Sequence, residues 1–125
     1  MKYTLDKTSN PKYPILTLCG YINTDEISTF IQELWEDETY ITAAQLIWDF
    51  SQSESDFYFE DVFSLSEFVK QKRPSNVLKR LAIVAPGDYE FGMSRIYASL
   101  SENEEPAVRV YRDINAARLW LEDEN

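Results

Sequence analysis

Asp49 stands at the carboxyl end of an apolar run, and Glu60 and Asp61 open the segment beyond the loop that follows. These carboxylates are the chain's nearest approach to an acid–base pair or a hard-cation site. Yet their spacing matches no ligand loop, and nothing in the sequence sets their pKa values apart. Histidine is absent, which removes the commonest general base, the commonest zinc ligand and the usual partner of a nucleophilic serine or cysteine. The single Cys19 follows a β-type run beside Gly20 with no basic neighbour, the setting of an inert, buried thiol. No catalytic residue, cofactor or metal is therefore expected, and Glu102, Glu104 and Glu105 read as a solvated face.

Residues suited to binding are better represented. Phe57, Tyr58, Phe59 and Phe63 put four rings within seven positions where a loop enters a helix, and one helix face cannot bury them all. Some are expected to reach a pocket mouth, a dimer surface or a partner; the alternative is that they cap the core from a long loop. Lys70, Lys72, Arg73, Lys79 and Arg80 gather five of the twelve basic residues into eleven positions, with no acid between Glu67 and Asp88. Such a run is expected either to meet an anionic membrane surface or acidic partner, or to be a solvated helix end whose cations complement the helix dipole. Gly87 and Asp88 offer backbone N–H groups at a strand-to-helix turn, a weak anion site because Asp88 repels a phosphate. Gly92 lies inside a helical pattern, where glycine costs about 1 kcal/mol against alanine, so a packed helix, a dimer mate or a ligand is expected to come close there. Arg95, near the same side, is expected to pair with Asp49 or Asp113 or to hold a ligand's carboxylate.

The elements that must position these residues follow from periodicity. Lys2 to Asp6 and Tyr13 to Cys19 read as two strands joined by an Asn10-Pro11-Lys12 turn, a hairpin. Asn23 to Glu26 supply an N-cap and first-turn acids, and Ile27, Phe30, Ile31, Leu34 and Trp35 then recur on one helical face. Ala44 to Phe50 (AQLIWDF) and Leu81 to Ala85 (LAIVA) have the length and apolar continuity of strands covered on both faces, hence of a parallel sheet. Between them come a polar loop, Ser51 to Asp56, and a helix over Phe59 to Lys72 with Val62, Leu65, Phe68 and Val69 inward, as a parallel crossover requires. A helix over Asp88 to Ser101 with Tyr89, Met93, Ile96, Tyr97 and Leu100 inward is expected next. Ala107 to Tyr111 alternates as a fifth strand, and a last helix, capped by Asp113, turns Ile114, Ala117, Trp120 and Leu121 inward.

The chain has 125 residues, 44% hydrophobic and 14% aromatic, which suits one domain (1–125) with an ordinary core. Its 12 basic and 22 acidic side chains give a net charge of −10, which repels phosphate backbones and counts against a nucleic-acid partner. No apolar run approaches the roughly 20 residues of a membrane span, and the polar first residues do not suit a signal peptide. With a lone cysteine, a cytoplasmic protein is expected.

The stretch Leu81 to Leu121 resembles the SpoIIAA-like family, whose fold is shared by STAS domains and the CRAL-TRIO lobe. The features that carry it are the buried strand before Asp88, then Phe91-Gly92-Met93 with Arg95, and Arg112-Asp113 leading to Ala117 and Trp120-Leu121. The resemblance implies an α/β fold with a five-stranded mixed sheet, in the element order β-β-α-β-α-β-α-β-α. It further implies roles in protein association or in binding a small hydrophobic molecule, without catalysis. The best understood relatives are anti-sigma-factor antagonists, switched by phosphorylation of a serine in an Asp-Ser-Ser-Gly turn. Here Asp49-Phe50-Ser51 matches the strand end, but Phe57-Tyr58-Phe59-Glu60 occupies the position of that turn, so no switch serine carries over; Ser51, Ser53 and Ser55 lie in an acidic loop. The expected function is a non-catalytic, homodimeric interaction module using Phe57 to Phe63 with Phe91, Gly92 and Arg95. The alternative is a carrier or sensor of a small apolar ligand, guided to a membrane by the basic run.

Overall fold

A computed structural model describes residues 1–6, 13–75 and 77–123. Its first strands, β1 (Lys2–Asp6) and β2 (Ile15–Ile22), pair antiparallel, with Lys2 opposite Cys19 and Asp6 opposite Ile15. The Asn10-Pro11-Lys12 turn expected between them lies outside the described residues. From β2 the chain enters α1 (Thr24–Leu34), where the Asn23 side chain accepts the Asp25 N–H at 2.7 Å and satisfies one of the unpaired donors of the first turn. A one-turn helix that periodicity did not show, α2 (Glu38–Ile41), follows. Asp37 caps it by accepting from Thr39 N at 2.9 Å and Tyr40 N at 3.2 Å, and this turn carries the Tyr40 ring beneath the sheet. Next come β3 (Gln45–Ser55), α3 (Phe59–Lys72), β4 (Arg80–Val84), α4 (Asp88–Leu100), β5 (Ala107–Tyr111) and α5 (Ile114–Glu122).

The sheet order is β1-β2-β3-β4-β5, with β1 antiparallel and the other four strands parallel. The mixed α/β sheet expected from the sequence is thus present, and α2 is the one element added to it. Two boundaries differ most: β2, expected over Tyr13 to Cys19, runs from Ile15 to Ile22, and β3 is longer than expected. The Ser51 to Asp56 segment, expected as a loop, is mostly the outer half of β3, where Gln52 to Ser55 pair with Cys19 to Ile22 beyond a register shift at Thr17/Cys19. Its polar side chains are compatible with a strand because the helices do not cover this end; Gly20 takes φ 90° there, a value that favours glycine.

Side-chain alternation divides the core into two layers. Leu46, Trp48 and Ile83 point to the face covered by α1 and α3, with Tyr97 of α4 packed against that cluster. Ile47, Ala82 and Val84 point to the opposite face, where Ala117 and Leu121 of α5 lie directly on them. The inward stripe expected for α4 is only half-buried, and Tyr89 is exposed. That helix stands off the sheet and leaves a space beneath it.

Candidate functional site: an apolar cavity beneath α3 and α4

Between the sheet and helices α1, α3 and α4 lies a cavity of about 380 Å³. Protein interiors rarely contain voids larger than a water molecule, and small-molecule sites run from roughly 300 to 1,000 Å³, so this volume has the scale of a ligand site. Trp48, Phe50, Leu81, Ile83 and Val108 of the sheet form one wall. Leu65 and Val69 of α3, Met93 and Tyr97 of α4, and Ile27, Ile31 and Trp35 from α1 and its end close it from the other side. Bulky rings hold the layers apart: Trp35 stacks on Phe68 at 5.8 Å between centroids, and Trp48 packs against Phe50 at 6.0 Å and Phe30 at 6.2 Å.

Ser66, Ser94 and Ser101 add hydroxyls to the lining, and its charged groups sit at two ends. Ser55 and Glu90 lie at the carboxyl end of the strands; Lys70, Arg73, Glu104 and Glu105 lie near the ends of α3 and α4. Deeper in, Trp48 Nε1–H donates to the Tyr40 hydroxyl at 3.1 Å. Burial pushes the Tyr40 hydroxyl well above its ordinary value and the Tyr97 hydroxyl up to about 12, so both are neutral phenols over the physiological range.

The aromatic cluster read from the sequence is divided by the structure. Phe57 is half-buried and lines the cavity, and its carbonyl accepts the Tyr89 hydroxyl, which ties the entry of α3 to the first turn of α4. Tyr58, Phe59 and Phe63 are instead 69%, 53% and 46% exposed, with the last two stacked on each other at 6.4 Å. The start of α3 is fixed by Asp61, whose carboxylate accepts the Tyr58 N–H at 2.8 Å. Adjacent rings at the N-terminus of α3 therefore serve two places, one inside and one at the surface.

On α4, the close approach expected at Gly92 does not come from this chain: a Cβ there would meet nothing within 4 Å. Arg95 pairs with neither Asp49 nor Asp113. It lies over the Phe91 ring at 5.9 Å, and Arg112 covers the same ring at 4.1 Å while bonding Asp88 at 2.5 Å. Asp49 and Asp113 accept backbone N–H groups instead, from Ser51 at 2.9 Å and Ala116 at 3.0 Å. That hydrogen bond at Asp113 is the helix cap expected for α5.

Most of the basic run is engaged within the chain. Lys70 faces Glu104 at 3.6 Å, Lys79 faces Glu105 at 3.0 Å, and Arg73 Nη1 donates to the Glu105 carbonyl at 2.6 Å. Arg80 donates to the carbonyls of Trp120 and Asp123 at 2.7 and 3.0 Å and lies over the Trp120 ring at 5.3 Å. Lys72 is exposed. The acids Glu104 and Glu105, read from the sequence as merely solvated, thus hold the ends of α3 and α4 together beside the cavity.

The carboxylates first considered for chemistry are separated by the sheet. Asp49 alternates to the α5 face with Ile47, whereas Glu60 and Asp61 belong to α3 on the other side. Cys19 is half-exposed rather than buried, its thiol 3.8 Å from Gln52 Oε1, because α5 does not extend over this part of β2. Among the described residues no group of three or more His, Cys, Asp or Glu side chains gathers as metal ligands, and no helix is long and apolar enough to cross a membrane.

No family model matches the sequence, and no curated protein matches it. Among solved structures, the chain is similar to an uncharacterised protein of the DUF3478 family with a SpoIIAA-like fold from Shewanella loihica PV-4. The TM-score is 0.55 at 11% identity, over 96% of this chain and 92% of that one. The fold is SpoIIAA-like. Weaker similarities extend to the anti-sigma factor antagonist SpoIIAA in its unphosphorylated form, with TM-score 0.49 at 12% identity over 99% of this chain and 100% of that one. The Bacillus cell fate determinant SpoIIAA in its phosphorylated form gives TM-score 0.46 at 10% identity, over 95% and 99% of the two chains. In this SpoIIAA-like chain the cavity occupies the face that carries α1, α3 and α4. Tyr40, Trp48 and Tyr97 are the site residues that sequence reasoning did not single out. The available signal was the mixed inner face of α4, where Ser94, Tyr97 and Ser101 interrupt an otherwise apolar stripe.

Proposed function

We propose that this protein is a non-catalytic binding module that holds one small, largely apolar molecule in the cavity beneath α3 and α4, as a carrier or sensor. The supporting observation is the cavity itself, about 380 Å³ with a predominantly aromatic and aliphatic lining. Such a site gains affinity from apolar area removed from water, about 25 cal/mol per Å², and orientation from a few polar groups. Native mass spectrometry of the protein taken from its own cells, without detergent or refolding, is expected to show a reproducible small-molecule mass, one per chain. The bare chain mass, together with no retention of an added apolar probe, would count against this reading.

A second reading is favoured by the exposed rings of Tyr58, Phe59 and Phe63: a regulatory interaction module that self-associates through them. The two readings are compatible, because Phe57 and Tyr89 connect the surface rings to the cavity. Light scattering of a Phe59→Ser, Phe63→Ser variant separates them. Loss of a dimer with probe binding intact supports the surface; a chain that is monomeric before substitution sinks it. Membrane recruitment by the basic run is not proposed, since Lys70, Arg73, Lys79 and Arg80 already hold acids or carbonyls of the same chain.

A further inference from the structure

The kind of hydrogen-bonding group in the cavity wall limits what can lie against it. Tyr40 is 7% exposed and lines the cavity. Its oxygen accepts the Trp48 Nε1–H at 3.1 Å, and its own proton has no acceptor among the described residues. Tyr97 borders the same space, near enough for the two phenols to influence each other's charge. A phenolic hydroxyl both accepts and donates; with the Tyr40 oxygen already accepting from Trp48, its O–H is the group left to be used, and a buried donor left unused is costly.

The charged residues of the lining argue against an anionic occupant. Two cations border the cavity: Lys70 faces Glu104 at 3.6 Å, and Arg73 donates to the Glu105 carbonyl at 2.6 Å. Three acids, Glu90, Glu104 and Glu105, border it as well, in a chain of net charge −10. A carboxylate drawn inside would lose hydration, would meet three acids against two cations in the lining, and would approach through a negative field.

We propose that the cavity takes an uncharged, predominantly apolar molecule bearing a hydrogen-bond acceptor, such as an ester or ketone carbonyl, which receives the Tyr40 phenolic proton. This rests on reading the cavity as a ligand site and adds the ligand's chemical class and the residue that orients it. Tyr40 serves as the anchor, and the walls supplied by Trp48, Tyr97 and the α3 side chains contact the apolar body.

The test is displacement of Nile red, a neutral fluorophore that brightens in apolar surroundings, from the whole chain. Its competitors are a medium-chain fatty acid methyl ester, the corresponding carboxylate at a pH where it is fully ionised, and the parent hydrocarbon. The ester is expected to displace Nile red at a concentration at least about tenfold below that of the carboxylate. Tyr40→Phe is expected to weaken the ester about fivefold and leave the hydrocarbon unchanged, the loss of one hydrogen bond. Because that substitution also removes the acceptor of Trp48 Nε1–H, the infrared carbonyl stretch of the bound ester gives a readout on the unaltered protein. It should lie below its frequency in a hydrocarbon solvent. A carboxylate that competes as well as the ester, or a carbonyl stretch unchanged from hydrocarbon, overturns the assignment of ligand class while the cavity remains a ligand site. Failure of Nile red to bind overturns the ligand site itself and this inference with it.

Discussion

The two faces of one sheet are covered in opposite ways. On the α5 side Ile15, Ile47, Ala82 and Val84 of the sheet form one buried cluster with Tyr13, Ala117 and Leu121, and Ile47, Ala82 and Ala117 are 0% exposed. The two alanines, Ala82 and Ala117, leave room for α5 to lie close, and the aliphatic side chains around them fill the layer. On the other side Trp48, Phe50 and Ile83 face Trp35, Phe68 and Tyr97, and the cavity remains among these bulky groups. The same alternation of inward positions thus builds a closed layer on one face and a chamber on the other. One face is filled and the other keeps room.

Substitutions can break this contrast in a graded way. The largest effect is expected at Leu121→Ala, which deletes a buried side chain from the closed layer and should cost about 2–5 kcal/mol in urea melts. Ala117→Leu is expected to cost about 1–3 kcal/mol by overpacking the same contact. If either variant were as stable as the parent chain, the α5 layer would not be the tight one.

Alkaline pH addresses the other face. Tyr40 and Tyr97 have folded pKa values raised above 10.0, so on raising the pH the unfolded chain loses these protons first. The stabilisation is complete below pH 10.0 and is lost as pH rises from there to about 12, where the folded Tyr97 also ionises. The expected decline is up to about 1.4 kcal/mol per pH unit for each phenol, and Tyr97→Phe should flatten it. A stability that does not fall across this range would show that the phenols are solvated.

Smaller effects are expected at the chamber and at its surface. Ser94→Phe places a ring in the cavity lining and is expected to change stability by less than about 1 kcal/mol, unlike overpacking of the α5 layer. The Phe59→Ser, Phe63→Ser double variant should cost no more than about 1 kcal/mol per site, because both rings are already about half in solvent.

Much of the architecture was legible because it depends on local pattern. The runs AQLIWDF and LAIVA announced central strands, and Val62, Leu65, Phe68 and Val69 announced the inner face of α3. The continuation of β3 through Ser51 to Ser55 was not legible, since nothing apolar marks it and its strand character comes from pairing with β2. The candidate site was legible only in part. Phe57 was singled out and does line the cavity, but the cavity depends on the sizes of residues distant in sequence, such as Trp35 with Phe68 and Tyr40 with Trp48. Periodicity tells which side of a helix turns inward; it does not tell how far the helix stands from the sheet. The partners of Arg95 and of the basic run were hidden for a similar reason, because Phe91, Glu104 and Glu105 compete for cations that sequence distance alone assigns elsewhere.

Titration of the purified chain with Nile red, before and after Ser94→Phe, tests the central claim most directly. The account predicts saturable binding of one probe per chain, a rise in melting temperature with probe concentration, and loss of binding in the Ser94→Phe variant with its fold intact by circular dichroism. Unsaturable binding, or equal saturable binding by both proteins, would place the probe on the surface and contradict the cavity as the functional site.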